Sequence, residues 1–391
     1  MRQNHQVALI VCAKTIRTFG FGLLSVGFAL YLAARGLSPF GVGAVLTIAL
    51  LAGALAMSAS PQLIRRLGGR WCLILASLAL CLAGLLLGWP GPTVLIVLSC
   101  LPGVLSAGGQ EVGPFVAVEQ LMIAESATTG RVGNLFAVYN VAGAGGLALG
   151  ALAAAAIPTR SIPLAYACCG AILALVYWGM HNIDDPSESQ AARPAAPSHG
   201  SSARTLAALF GLDALAGGFV VQSFLAYWLH LRFGTDQRTL GLLFFGANSL
   251  GALSYPVAAW LATKIGFLRT MVFTHLPSNV LLCLIPVMPT FLTAAIVLLA
   301  RFALSQMDVP TRQAFAMQVV PPEDRAYAAS LTNAVRPAAA AVAPVFAGIA
   351  VQGAMLGLPF FIAGGLKIVY DVIVFGAFRR APVPEIAAPT H

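Results

Sequence analysis

The stretch Pro61-Gln62-Leu63-Ile64-Arg65-Arg66-Leu67-Gly68-Gly69-Arg70 is a short basic turn between two long apolar runs. The run before it covers 38–62 and the run after it 71–89, each long enough to cross a bilayer as a helix, which takes roughly 20 apolar residues. Three arginines in so short a loop hold it on the cytoplasmic side, because Lys and Arg resist translocation. The turn therefore reads as the inner hinge of a helical hairpin that spans a membrane twice.

The same alternation of apolar run and short loop fills the chain. Of 391 residues, 59% are hydrophobic and 9% charged, against about a quarter charged in a soluble domain. Lipid is then the solvent for most of the surface. The predicted spans are 7–33, 38–62, 71–89, 93–122, 132–157, 162–181, 205–231, 239–262, 270–288, 291–318, 327–351 and 358–378. The short N-terminal Met1–His5 leads straight into the first run, which contains Lys14 and Arg17 and so reads as a retained helix rather than a signal peptide. A net charge of +9 in a soluble protein would raise nucleic-acid binding. Here the bases cluster at the ends of spans, so no nucleic-acid partner is expected and the lipid bilayer takes that place. The cysteines lie inside apolar runs without CxxC spacing, and read as small core residues.

Placing the N-terminus in the cytoplasm puts Arg2, Arg65, Arg66, Arg70, Arg131, Arg193, Arg204, Lys264, Arg269, Arg325, Arg379 and Arg380 inside, and Arg35, Arg160, Arg232 and Arg238 outside. That asymmetry orients both termini toward the cytoplasm. The one long polar segment, 182–204, is rich in Pro, Ser and Ala and reads as a linker. It separates residues 1–181 from residues 205–391, and the second part echoes the first. Leu30-Tyr31-Leu32 matches Ala226-Tyr227-Trp228, Gly53-Ala54-Leu55 matches Gly251-Ala252-Leu253, and Arg65-Arg66-Leu67-Gly68 matches Thr263-Lys264-Ile265-Gly266. Pro114 matches Pro310 and Arg131 matches Arg325. The fold class expected is an all-α integral membrane protein of twelve transmembrane helices in two pseudo-symmetric six-helix bundles, an N-terminal bundle over 1–181 and a C-terminal bundle over 205–391.

With this duplication the loop 61–70 resembles the loop signature of the major facilitator superfamily, Gly-x-x-x-Asp-Arg-x-Gly-Arg-Arg. It keeps Arg66, Gly68 and Arg70, with Arg65 in place of the acid and Pro61 in place of the first glycine. The equivalent loop keeps Lys264 and Gly266. The resemblance implies that Arg65, Arg66, Gly68, Arg70, Lys264 and Gly266 form the gating loops, with a lock that differs from the family's. The stretches GGQEVGPFVAVEQ (108–120), DVPTRQAF (308–315) and SLTNAVRPAAAAVAP (330–344) resemble bacterial drug-exporter-like members. The fifth span carries part of an antiporter signature, Gly143, Gly146 and Gly150, with Ala151 where proline is expected. The resemblance implies a secondary transporter of a small solute in the bacterial inner membrane, monomeric, coupled to protons or another ion, with efflux favoured over import or facilitation.

Ionisable residues at bilayer depth are costly unless they pair or line a wet cavity. Those within spans are the acids Glu111, Glu119, Asp213, Asp308 and Asp371 and the bases Lys14, Arg17, Arg301, Arg312, Arg336 and Lys367. At about 1.5 Å per residue, Arg17, Glu111, Asp213, Asp308 and Arg336 fall roughly 15 Å from the inner surface. The family resemblance implies that the first, fourth, seventh and tenth spans line the cavity, so Arg17, Glu111, Asp213 and Asp308 are expected to form one polar belt. Glu111 or Asp213 is the expected proton carrier and an arginine its tuner; the competing reading is static salt bridges within each half. Glu119, Arg312 and Arg336 complete the candidate set. Lys367 and Asp371, spaced i,i+4, are expected to neutralise each other.

Gln222 is the best candidate for solute contact among Gln110, Gln120, Gln222, Tyr139, Asn140, Gln313 and Asn333. Phe21, Phe28, Trp228 and Phe245 offer an apolar surface or plain packing. Met271 and His275, also i,i+4, suggest copper less than they suggest packing. No GxxxxGK[ST] loop, HExxH, GxSxG or metal-ligand cluster occurs, so no cofactor, no ATP drive and no enzyme chemistry are expected. A membrane enzyme would gather His, Asp or Glu at one face, and a sensor would carry a soluble domain.

Overall fold

A computed structural model describes residues 2–109, 111, 113–126, 132–180, 201–321 and 324–379. Among these residues the only regular secondary structure is helical, with no strand. Helices α1 (Arg2–Ala34), α2 (Pro39–Leu67) and α3 (Gly69–Gly88) make the first three spans. The fourth span is two short helices, α4 (Thr93–Cys100) and α5 (Phe115–Ser126), and α6 (Val132–Ala156) and α7 (Ile162–Trp178) follow. The seventh span divides into α8 (Ser201–Gly218) and α9 (Gln222–Phe233). Next come α10 (Gln237–Ile265) and α11 (Phe267–Leu284), then a tenth span divided into α12 (Phe291–Ser305) and α13 (Asp308–Val319), and last α14 (Arg325–Gln352) and α15 (Leu358–Phe378). Among the described residues, eleven helical stretches are long and apolar enough to cross a membrane. The fourth predicted span does not qualify because none of the described residues within 101–114 is helical.

That correction has a sequence cause. Pro102, Gly103, Gly108, Gly109, Gly113 and Pro114 crowd the segment, and Gly103, Gly109 and Gly113 all adopt positive φ. Proline removes a helical donor and glycine disfavours the helix interior. The predicted linker also ends sooner than expected, since α8 already begins at Ser201. Its residues 182–200 lie outside the described residues, as do Gln110, Arg131, Arg193 and Arg380.

The duplicated loops have one geometry. Gly68 and Gly266 each end one helix and begin the next, at φ 77° and φ 85°. Each donates its N–H to the preceding helix, to the carbonyls of Ile64 and Ala262, both at 2.9 Å. Only glycine holds that backbone without strain, which is why the glycine recurs where the other loop residues do not.

The two halves of the chain meet along α2–α14, α6–α10 and α1–α9. A Cβ on Gly43 of α2 would lie 2.3 Å from the Pro344 carbonyl oxygen of α14. Its duplicate Gly241 on α10 would place one 2.6 Å from the Ala155 nitrogen of α6. Hydrogen bonds at the same end join Phe40 N–H to Gln352 (3.1 Å), Val345 N–H to Thr47 (3.1 Å), and Gln237 to the Ala154 (2.5 Å) and Ile157 (2.8 Å) carbonyls. This seam lies at the end that carries the Gly36 loop. Toward the Gly68 end it parts: α2 is almost wholly exposed over 61–67, and no residue of α14 is buried over 331–340.

Candidate functional site

Two buried charge clusters sit at mid-span, one in each half. In the first, Arg17 of α1 is wholly buried and serves as a hub. Its Nη1 donates to Glu119 Oε1 of α5 at 2.6 Å, and its Nε donates to Glu111 Oε2 at 3.2 Å. Lys14, one turn earlier on the same helix face, pairs with the other oxygen of Glu111. Tyr139 of α6 and Tyr177 of α7 donate their hydroxyls to Glu119 at 2.6 and 2.5 Å. The Arg17 guanidinium lies over the Phe115 ring, 4.8 Å from its centroid. Glu119 is fully buried, whereas the Glu111 side chain is 32% exposed. Glu111 itself lies outside any helix, so it is held by its ion pairs rather than by a helix.

The second cluster inverts the charges. Its hub is the buried carboxylate of Asp213 on α8. Lys367 of α15 donates to Oδ1, and Arg312 of α13 and Arg336 of α14 donate to Oδ2 at 3.0 and 3.2 Å. Arg312 also donates to Asp308 Oδ2 at 2.5 Å. The Arg336 side chain is 26% exposed, and Arg336 anchors itself on the Phe210 carbonyl at 3.2 Å. Asp308 opens α13, where a carboxylate favours the helix N-terminus, and Pro310 stands in the first turn, where its missing N–H does no harm.

The single belt expected from the sequence is therefore two clusters: the ion pairs join Arg17 to Glu111 and Glu119, and Asp213 to Arg312, Arg336 and Lys367, each within its own half. The Lys367–Asp371 pair is also corrected. Both leave one face of α15, but Lys367 reaches α8 while Asp371 bonds His275 and Asn279 of α11 at 2.8 and 2.9 Å. His275 is thus a hydrogen-bonded polar residue rather than apolar packing. Among the described residues no group of three His, Cys, Asp or Glu is placed to hold a metal.

Gln222 opens α9 directly after the break at 219–221, and its Nε2 donates to Ser25 of α1 at 2.8 Å across the seam. Gln120, Asn140, Gln313 and Asn333 are exposed, while Tyr139 is buried in the Arg17 cluster. Phe21, Phe28 and Trp228 are buried in the core; Trp228 donates to the Leu356 carbonyl at 2.7 Å. The glycine run of the fifth span is a packing surface: a Cβ on Gly150 would meet the Phe19 carbonyl oxygen of α1 at 2.0 Å, and one on Gly143 would meet the Lys14 stem at 2.4 Å. Arg65, Arg66 and Lys264 are exposed at the Gly68 end. Arg70 ties down the end of α7 through the Trp178 carbonyl at 2.6 Å.

Tyr177 and Ser305 were missed from sequence, while Lys14, Arg301 and His275 were named there without a place in the site. Lys14 had a signal, since it and Arg17 are one turn apart on α1 opposite two acids. Arg301 Nε, Ser305 Oγ and Asp308 Oδ1, spaced along the tenth span, are buried without a hydrogen-bond partner. Native proteins leave few such atoms, so each invites a ligand or water.

Broken helices with a buried charge cluster in each of two helical halves define a class, the solute carriers of the alternating-access kind. The Major Facilitator Superfamily model matches residues 10–305 and again 206–391, and the chain belongs to that superfamily. It is 24% identical to an uncharacterized membrane protein of Saccharomyces cerevisiae over 95% of this chain and 93% of that one. A variant of the nucleoside transporter NupG superposes with a TM-score of 0.77 at 12% identity, covering 95% of this chain and 99% of that one. A D-xylose-proton symporter gives 0.74 at 14% identity, covering 97% and 98%. At such identities these likenesses speak for the fold alone.

Proposed function

We propose that the chain is a proton-coupled secondary transporter of a small polar or amphipathic organic solute, with Glu111 as the proton-carrying acid. The observation that carries this reading is the position of Glu111: partly open, on a non-helical segment, shared between Lys14 and Arg17. When Glu111 takes a proton, Arg17 keeps Glu119 and its two tyrosines, whereas Lys14 loses its carboxylate and retains the Tyr139 ring, 4.3 Å from its Nζ. The segment 101–114 is then released from α1. Protonation thus changes which helices are tied together, and that is what coupling a gradient to motion requires.

The solute is expected at the orphaned atoms of Arg301, Ser305 and Asp308, which supply donors and an acceptor along one line of the tenth span. We take residues 1–181 and 205–391 as the two moving units and 182–204 as their tether. The Gly68 end, with Arg65, Arg66, Arg70 and Lys264, faces the cytoplasm of a bacterial inner membrane by the distribution of positive charge. In that orientation the seam is closed outside and parted inside, an inward-facing state. For direction we propose efflux, following the sequence resemblance. Import is the second reading, favoured by the likeness to a proton symporter.

A thermal-shift screen finds the solute first, because a ligand that binds only the native state raises its apparent stability. Inside-out vesicles under an imposed pH gradient then test coupling. Accumulation that vanishes when the gradient is collapsed supports the reading, and equal transport with and without the gradient overturns it.

A further inference from the structure

Asp371 is fully buried at mid-span in α15; its Oδ1 is hydrogen-bonded to His275 Nδ1 at 2.8 Å and its Oδ2 accepts from Asn279 at 2.9 Å. Among the described residues no Lys or Arg lies within ion-pairing distance of it. Lys367, one turn earlier, is committed to Asp213. His275 is itself buried, with Nδ1 on Asp371 and Nε2 3.8 Å from Asp213 Oδ1. The Tyr370 ring stands edge-on to the imidazole, 6.0 Å between centroids. Beyond Asp213 the charged groups are Arg312 and Asp308 of α13 and Arg336 of α14, engaged with one another or with Asp213, and Arg301 of α12. Arg301 makes no ion pair among the described residues, its Nε is buried without a hydrogen-bond partner, and its carbonyl accepts from Ser278 of α11 at 3.5 Å.

An isolated carboxylate charge in such surroundings is costly, and a neutral imidazole and an amide do not offset it. A proton does. Residing on the carboxyl it makes Asp371 neutral, and residing on the ring it makes an imidazolium–carboxylate pair; both states leave the pair without net charge. Arg312, Arg336 and Lys367 already surround Asp213 with positive charge, so Asp213 has no need of that proton.

We propose that His275 and Asp371 form a buried proton-binding site, holding one proton between them at neutral pH, one layer behind the Asp213 cluster. The site is distinct from Glu111, lies in the other half, and stands whether or not Glu111 carries the transported proton.

The chain has 6 histidines, so 15N-histidine labelling of the full protein in liposomes is tractable. Solid-state NMR at pH 7 reads His275, assigned by the signal lost in His275→Gln. Infrared spectroscopy reads the protonated carboxyl band, assigned by its loss in Asp371→Asn. The expected result is an imidazolium at His275 or a protonated carboxyl at Asp371, and a neutral imidazole in Asp371→Asn. A neutral His275 together with an ionised Asp371 in the unaltered protein overturns the proposal. So does an imidazolium that persists in Asp371→Asn, which would make Asp213 its partner. Should Asp371→Asn fail to fold, the two readings on the unaltered protein decide. Glu111→Gln is expected to leave both signals in place; if it instead loses gradient coupling, the functional reading gains while this site is untouched.

Discussion

Arg17 and Asp213 occupy equivalent positions in the duplicated halves, and each is the hub of a buried cluster, yet the charges are reversed. In the first half one base is ringed by two carboxylates and two phenols. In the second, one carboxylate is ringed by two guanidiniums and an ammonium. The difference matters because the rings respond differently to protons. A carboxylate that loses its counter-charge neutralises itself by binding one, whereas a guanidinium cannot shed one in a protein. The ring around Arg17 can therefore shed charge by taking a proton when a counter-charge is lost, whereas the guanidiniums around Asp213 keep theirs.

The largest effects should come from removing the hubs. Asp213→Asn leaves the buried Lys367 and the partly exposed Arg336 without their acid, and breaking a buried pair costs about 3–5 kcal/mol. Arg17→Gln leaves Glu119 its two tyrosine donors and Glu111 its lysine, so its loss should be smaller. Thermal unfolding in detergent compares them directly. Equal losses, or a greater loss for Arg17→Gln, would break the contrast between the two rings.

Glu111→Gln comes next and sharpens the same point. Arg17 keeps Glu119, so the melting temperature should fall by no more than a few degrees, while gradient-driven transport falls at least about tenfold, equivalent to about 1.4 kcal/mol. Unchanged accumulation in inside-out vesicles would place the coupling proton elsewhere.

The frame of the molecule was legible in the sequence because lipid imposes length. Eleven of the twelve predicted spans lie within about five residues of helix ends in the structure, and the loops at Gly68 and Gly266 share one backbone geometry. Hydropathy does not see backbone breaks, so residues 101–114 passed for helix although their glycines and prolines were in view. Nor does sequence spacing reveal which neighbour a side chain chooses. Lys367 and Asp371 share a face of α15, but α8 and α11 stand on either side of it and each takes one. His275 looked like packing because a span's contacts cannot be read from the span alone.

The seam offers a milder comparison. Gly43 and Gly241 are duplicates that bring α2 onto α14 and α10 onto α6. Leucine at either position meets backbone rather than a flexible side chain, so each variant should loosen the closed end. We expect a several-fold rise in labelling of a cysteine introduced at Phe40 for Gly43→Leu, and of one introduced at Gln237 for Gly241→Leu. A response from only one of the two would mean that the seam is not closed by paired contacts.

The smallest effects belong to the gating loops, where the halves also differ. Arg70 donates to the Trp178 carbonyl at 2.6 Å, and its guanidinium lies 5.7 Å from the Trp178 ring centroid, so it ties the end of α7 to the start of α3. Lys264, in the equivalent loop, is exposed and sits in the last turn of α10, where only the helix dipole favours it. Arg70→Gln should cost about 1 kcal/mol, the net worth of a hydrogen bond at a helix end, and Lys264→Gln less than about 0.5 kcal/mol, as for most surface changes. Calorimetric unfolding resolves that gap. If the lysine mattered as much as the arginine, Lys264 would have to find an acid in the opposite state of the transport cycle, and the loop of the second half would be the lock that the loop 61–70, with Arg65 in place of an acid, does not provide.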